Sequence, residues 1–440
     1  MPNLAQHRAF PLLFEPGADF ARSEGAVVSA AAFRASTASL AQRLPPEGEV
    51  ANLCENRYRF LVAFAAALLR GRTTLLPSSH APPAVAEMVA AFPGCCVLDD
   101  ALVSGGGSSQ ASGSVDPPTD FVAVIGHTSG STGRPAAHAK SWSGLCATTA
   151  LNATTIRAAI AGSATAQQPW IVATVPPQHM YGLESSVLLP LLAGFGIHGG
   201  RPLLPADVAA ALDEVPSPRV LVSTPVHLRS LVESGVCFPD VAVVVSATAP
   251  LQRELAQRIE KHLCAVLIEM FGSTETCVIA TRRTAQDDGW RAYPGIRLEP
   301  VEGGTIVRAP WLAREQLLQD IIEMRADRSF TVVGRHGDLV EVAGKRASLA
   351  DLTRRLISLP GVEDAIMFQP AAGNGGVRRC AALVVAPGLS AREVLQRFRR
   401  EVDAAFLPRP LVVVPVLPRN QVGKLSMERM LALLGSARRS

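Results

Sequence analysis

The stretch Gly126-His-Thr-Ser-Gly-Ser-Thr-Gly-Arg-Pro135 decides how this chain is read. Three glycines, Gly126, Gly130 and Gly133, alternate with four hydroxyl side chains, Thr128, Ser129, Ser131 and Thr132. The apolar run Phe121-Val-Ala-Val-Ile125 precedes it and predicts a buried strand. Glycine lets the backbone reach positive φ and come close to a ligand, while N–H and O–H donors converge on an anion. A strand leading into such a loop is a phosphate cradle on physical grounds; a plain polar loop is the alternative. It is not a GxxxxGK[ST] loop, because the Lys-Ser/Thr pair is missing.

Outward from the cradle, residues 121 to about 320 alternate apolar runs with helix-like segments. Trp170–Val175, Arg219–Ser223, Val241–Val245 and Ala265–Glu269 predict strands, and Pro250–Leu263 predicts a helix. Strands apolar on both faces, alternating with helices, predict a largely parallel sheet covered on both sides. Ligands gather at the carboxyl ends of such strands, where the cradle, Pro176–Gly182, Ser246–Pro250 and Phe271–Glu275 all fall. Before the cradle, Arg57–Arg70 predicts a buried helix, and its ten-residue apolar core, Phe60–Leu69, is too short to span a bilayer. Residues from Ser104 onward, SGGGSSQASGSVDPP, predict a surface loop. Past Gly334, strands at Ala365–Phe368, Cys380–Val385 and Leu411–Val416 bracket helices at Leu349–Leu359 and Ala391–Phe406. The expected architecture is α/β. A large N-terminal domain, 1–334, has mostly parallel sheets covered by helices, and a small mobile α+β domain, 335–440, follows.

At 440 residues, 48% hydrophobic and 18% charged, the chain has the composition of a globular, multi-domain protein. The N-terminus lacks the pattern of a secretory signal. Its eight cysteines include no CxxC pair, which predicts a reduced, cytoplasmic setting and no zinc site. Net charge is +4, yet residues 335–440 hold 17 Lys and Arg against 9 Asp and Glu. That basic third suits an acidic partner, or is a solvated face. No aromatic residues are interleaved with the arginines, so nucleic acid is not expected as a partner. A membrane is not expected either.

Further motifs carry chemistry. Phe271-Gly-Ser-Thr-Glu275 sets a ring for a base, hydroxyls for phosphate and a carboxylate for Mg²⁺ at a strand end. Alone, its Ser-Thr-Glu run reads equally as a helix N-cap. Asp320 precedes the strand Phe330–Val333 and suits a grip on ribose hydroxyls, with Arg335 as a second contact; both also read as surface residues. Leu417-Pro-Arg-Asn-Gln-Val-Gly-Lys424-Leu presents a lysine on a loop bounded by Pro and Gly, able to neutralise charge on phosphorus.

In this order, TSGSTGRP, PPQHMYG, FGSTE, the Asp320 segment, GRHGD…GKR and LPRNQVGK, the motifs resemble the adenylate-forming superfamily from about residue 50 to 435. Within it, Asn52–Tyr58, the chain length and HAKSW resemble stand-alone ligases of aryl-polyene and xanthomonadin-type pigment pathways. The resemblance implies ATP and Mg²⁺ as cofactors. It assigns Thr128, Ser129, Gly130, Ser131, Thr132 and Gly133 to the phosphates, with Phe271, Gly272, Ser273, Ala247 and Thr248 around the nucleotide. Thr274 then touches phosphate, Glu275 binds Mg²⁺, Asp320 and Arg335 hold the ribose, His179 walls the acyl pocket, and Lys424 serves adenylation. Ala247-Thr-Ala-Pro250 stands where the family has Gly-Gly-Ala-Pro.

Three departures accompany it. Ala136 replaces the lysine after the cradle proline, which leaves Arg134 or Lys140 to supply a cation. Gly337 occupies the hinge position, and Glu341 stands where lysine is common. The implied activity is a ligase: a carboxylic acid, aryl and hydroxybenzoate-like ahead of medium-chain fatty, becomes acyl-AMP with release of pyrophosphate. It then passes to an acyl carrier protein or coenzyme A. A catalytically silent binding protein on the same scaffold is the rival from another class.

Overall fold

The computed structural model describes residues 15, 17–77, 80–104, 120–128, 136–160, 167–335, 339–342, 345–370, 379–419 and 425–437. The cradle residues Ser129–Pro135, the hinge residues Gly337 and Asp338, and Lys424 lie outside them. Two compact units emerge. One comprises Met1–Ile296 with Ala309–Arg314, and the other Arg297–Arg308 with Glu315–Ser440.

The first unit holds two sheets. In the smaller, Cys96–Leu98, Val50–Asn52, Thr74–Leu76 and Val122–Thr128 run parallel in that spatial order, and Ala136–Ser141 closes the edge antiparallel. The strands before and after the cradle residues thus pair antiparallel, with Thr128 opposite Ala136. The larger sheet has nine strands in the order Arg291–Ala292, Cys277–Arg282, Val266–Ser273, Val243–Ser246, Arg219–Ser223, Trp170–Ala173, Gly196–His198, Asp19–Ser23 and Ala26–Ser29. From Val266–Ser273 to Asp19–Ser23 all neighbours are parallel, and these central strands are buried on both faces as their apolar runs require.

Local chemistry explains the helices that matter here. Arg57–Leu69 is apolar all round, and Phe60–Leu68 are each at most 2% exposed, the mark of a buried helix. Asn56 caps it by accepting the Arg59 N–H at 3.1 Å. Arg57, itself buried, donates to the Ala173 and Val175 carbonyls at 3.1 and 2.6 Å, tying the helix to the end of a central strand. In Arg253–Leu263, Leu255, Ala256, Ile259 and Leu263 form one apolar face turned to the core. Among the described residues no helix is long and apolar enough to cross a membrane.

The second unit is α+β. A three-stranded antiparallel sheet, Arg297–Val301, Gly304–Arg308 and Gln316–Leu318, is followed by the hairpin Asp320–Met324 with Phe330–Arg335. A second hairpin, Leu339–Val342 with Lys345–Ser348, leads to helix Leu349–Ile357. The sheet Asp364–Phe368, Ala381–Val385 and Leu411–Val413 packs with helices Ala391–Phe398 and Met427–Ala437. One expected helix is shorter than its periodicity predicts. Ala391 onward, opened by a Ser390–Glu393 capping box, stops at Phe398. The Asp403 carboxylate accepts the Ala405 N–H at 3.0 Å and opens a separate 3₁₀ turn at Ala404–Phe406, so the apolar spacing continues while the helix does not.

Candidate active site

Three sequence motifs meet at the carboxyl ends of the strands. A Cβ built on Gly126, in the cradle strand, would lie 3.4 Å from Thr274 Cγ2 and 3.9 Å from Met180 Sδ. Gly126 thus brings the cradle strand against the FGSTE turn and against PPQHMYG. Phe271, Gly272 and Ser273 end their strand, Thr274–Thr276 form the turn, and Cys277 starts the return strand. The Phe271 ring packs on Trp290 with centroids 5.3 Å apart.

The turn is strained and heavily pinned. Cys277 has φ 63°, and a Cβ on Gly272 would run into the Cys277 carbonyl oxygen. A positive φ at a non-glycine residue costs roughly 1–3 kcal/mol and persists only where its surroundings impose it. Here Ser273 and Thr276 exchange N–H···Oγ bonds, each at 3.3 Å. The Trp311 indole N–H donates to the Thr276 carbonyl at 3.1 Å. Lys140 Nζ donates to the Glu275 carbonyl at 2.6 Å, and the Val278 N–H donates to both carboxylate oxygens of Glu184 at 2.9 Å.

The Glu275 side chain is 35% exposed, and its Oε1 stands 3.6 Å from His138 Nε2. Burial is the largest influence and pushes the Glu275 carboxyl up. The Ser273 hydroxyl, the backbone and the charges of His138 and Lys140 together outweigh it and hold the group below its ordinary value. Glu184, buried in the π-helical turn Glu184–Leu188, is pushed up to about 7 by burial, against the Val278 N–H and the charge of Lys140.

A second polar group is buried across the neighbouring strand ends. Thr174 Oγ1 lies 2.9 Å from both Ser223 Oγ and His227 Nδ1, with Thr174 and Ser223 fully buried. Burial first, then the Arg201 guanidinium, hold His227 below its ordinary value. The Tyr181 hydroxyl sits within 3.0 Å of the Ser223 carbonyl and 2.8 Å of the Val245 carbonyl, bridging two strands. Ser246 Oγ and Gln178 Oε1 are buried and, among the described residues, find no hydrogen-bond partner. Sequence reasoning missed Thr174, Ser223 and His227. The one signal was position, since each lies at or just past the carboxyl end of an apolar strand.

His179 takes the N-cap position of the short helix Met180–Leu183 and is half-buried. Ala247 is buried and Thr248 exposed, just past the strand Val243–Ser246. Thr248 has φ 79°, so a β-branched residue holds a left-handed conformation where the resembling family has glycine. In the second unit, Asp320 and Arg335 are direct partners across the hairpin Asp320–Met324 with Phe330–Arg335. The Thr305 hydroxyl fixes the Asp320 backbone by donating to its carbonyl at 2.6 Å.

Comparison with known proteins decides the class. Residues 93–298, which carry the cradle, PPQHMYG and FGSTE, match the family described as AMP-binding enzyme. This stretch belongs to the AMP-binding enzyme family. A 4-coumarate–CoA ligase of Halorhodospira halophila is 28% identical over 305 residues, covering 68% of this chain and 73% of that one. A salicyl-AMP ligase / salicyl-S-ArCP synthetase of Mycobacterium tuberculosis is 31% identical over 120 residues, covering 27% and 21%. The crystal structure of ATP-bound MatB from Rhodopseudomonas palustris shares the fold, with a TM-score of 0.80 at 19% identity over 96% of both chains.

The protein is an enzyme of the acid–thiol ligase, AMP-forming class, and ATP and Mg²⁺ are the cofactors of that class. Its residues fit both. Glu275 offers a half-buried carboxylate, the hard oxygen ligand Mg²⁺ requires, on a turn next to the cradle strand. Mg²⁺ there would neutralise phosphate charge.

Proposed function

We propose that the enzyme activates a hydroxybenzoate-like aryl acid as acyl-AMP and delivers it to the phosphopantetheine thiol of an acyl carrier protein. The observation that carries the choice of acid is the Thr174–Ser223–His227 cluster, with the orphaned Ser246 hydroxyl, buried at strand ends where ligands gather. An aliphatic chain would leave the Ser246 hydroxyl unmatched. A ring bearing a hydroxyl can exchange a hydrogen bond with it. For the acceptor, support comes from the basic balance of residues 335–440, which suits an acidic carrier. Resemblance to the ligases of aryl-polyene and xanthomonadin-type pigment pathways, and to the salicyl-S-ArCP synthetase, points the same way. Coenzyme A is the second reading, favoured by the 4-coumarate–CoA ligase likeness.

In this reading Thr128–Gly133 hold phosphates, Phe271 to Ser273 with Ala247 and Thr248 surround the nucleotide, and Asp320 with Arg335 hold the ribose. Thr274 touches phosphate, Glu275 binds Mg²⁺, and His179 walls the acid. Lys424 stabilises charge at the α-phosphorus while the carboxylate attacks. Rotation of residues 335–440 about the hinge at Gly337 then opens the site to the thiol. A cytoplasmic location belongs to the same reading.

The test is mass spectrometry of a carrier protein incubated with the enzyme, MgATP and a pool of aryl and aliphatic acids. A hydroxybenzoyl adduct on the carrier is expected. Adducts on coenzyme A alone select the second reading. No pyrophosphate release with any acid selects a silent binding protein. Lys424→Ala is expected to abolish acyl-AMP formation yet spare thioester formation from supplied acyl-AMP; equal loss of both steps contradicts its role.

A further inference from the structure

Two buried charged side chains perform none of the chemistry above, and both act on one turn. Lys140 is 7% exposed and reaches the Glu275 carbonyl; Glu184 is 1% exposed and takes the Val278 N–H on both oxygens. Their partners lie 135 and 94 residues away in the chain. An apolar side chain of the same size would fill either place without the desolvation cost of a buried charge. The two charges also sense each other, since Lys140 favours the ionised form of Glu184. Glu184 opens a π-helical turn, a local widening often found at functional sites.

The turn between them needs holding. Cys277 sits at positive φ, and Gly272 leaves no room for a side chain. Lys140 belongs to Ala136–Ser141, the strand by which the chain leaves the cradle. One strand therefore carries both the cradle's exit and the clamp on the neighbouring carboxylate.

We propose that Lys140 and Glu184 are positioning residues that clamp the turn at Ser273–Val278 and hold the Glu275 carboxylate beside the strand Val122–Thr128 for Mg²⁺. This rests on the reading of Glu275 as the magnesium carboxylate. With one ammonium N–H given to the Glu275 carbonyl, Lys140 bears on the metal site through the Glu275 backbone.

Four variants test it: Lys140→Met, Lys140→Arg, Glu184→Gln and the Met/Gln double variant, with Glu275→Ala alongside. ATP binding is titrated calorimetrically across Mg²⁺ concentrations, and amide exchange is followed over residues 272–279. Lys140→Met is expected to raise the Mg²⁺ needed for half-maximal ATP binding about 10-fold or more, the usual effect of losing a group that orients a metal ligand. Exchange should accelerate in the turn and not in the central strands, and Lys140→Arg should restore most of both. Glu184→Gln, which keeps an acceptor for Val278, should move both less, and the double variant should fall short of the product of the two. An unchanged Mg²⁺ requirement in Lys140→Met overturns the clamp if Glu275→Ala does raise it. If Glu275→Ala leaves the requirement unchanged, the magnesium reading fails and the clamp with it. Faster exchange throughout the chain, unrescued by arginine, reduces Lys140 to a folding role and also overturns the proposal.

Discussion

The turn at Ser273–Val278 and the cluster Thr174–Ser223–His227 sit at ends of the same sheet and are built in opposite ways. In the turn, charged and aromatic side chains grip backbone atoms: Lys140 the Glu275 carbonyl, Trp311 the Thr276 carbonyl, Glu184 the Val278 N–H. In the cluster, side chains grip side chains, hydroxyl to hydroxyl to imidazole. Backbone held this way cannot adapt when a neighbour changes, whereas a hydroxyl rotates and can donate or accept. A rigid turn suits a nucleotide and metal that never vary. A rotatable cluster suits an acid whose substituents set specificity.

The largest expected effect attacks the rigid side directly. Glu275→Ala should lower pyrophosphate release about 100-fold or more at saturating acid, measured by a coupled assay, with the acid KM little changed. Gly272→Ala tests whether the turn can yield. Its methyl group would run into the backbone of Cys277 and Val278, so thermal unfolding should shift down by the equivalent of about 1–3 kcal/mol. An unshifted transition would mean the turn is softer than described.

On the adaptable side, His227→Leu should raise the KM for a hydroxybenzoate roughly 10-fold while leaving benzoate within about twofold. Equal losses for both acids would make the cluster structural. His227 also carries a pH signature. Its pKa is depressed in the folded protein, so its contribution is present above about pH 6.5 and fades as pH falls below that, when the unfolded chain takes up the proton first. The thermal stability of the wild type relative to His227→Leu should therefore decline from about pH 7.5 to pH 5. Smallest is Thr248→Gly, which relieves a left-handed threonine at an exposed site and should stabilise by about 1 kcal/mol, read as an upward shift in thermal unfolding.

Much of this was legible in the chain itself. Apolar runs such as Arg219–Ser223 become central parallel strands because nothing polar interrupts them, and their ends mark the site. FGSTE is legible because its residues are contiguous and lie at a strand end. Lys140 and Glu184 are not, because no local spacing relates either to the turn it grips. An alanine-rich strand with one lysine reads as surface, and only the antiparallel return from the cradle buries that lysine. His227 is hidden for a similar reason. It lies on the first turn of helix Pro225–Glu233, which sequence reads as a capped, exposed start, whereas two fully buried hydroxyls draw its ring inward. The early stop of helix Ala391–Phe398 is invisible to periodicity, because there the Arg400 and Glu401 N–H groups turn to the carbonyls three residues back and Asp403 then starts a separate turn.

The indole of Trp311 has a practical consequence. It touches the Thr276 carbonyl, and Trp290 packs on Phe271, so two of the four tryptophans border the proposed magnesium turn. The enzyme carries its own fluorophores there, and the arrival of metal and nucleotide can be followed by intrinsic emission in real time, without a label or a coupled enzyme.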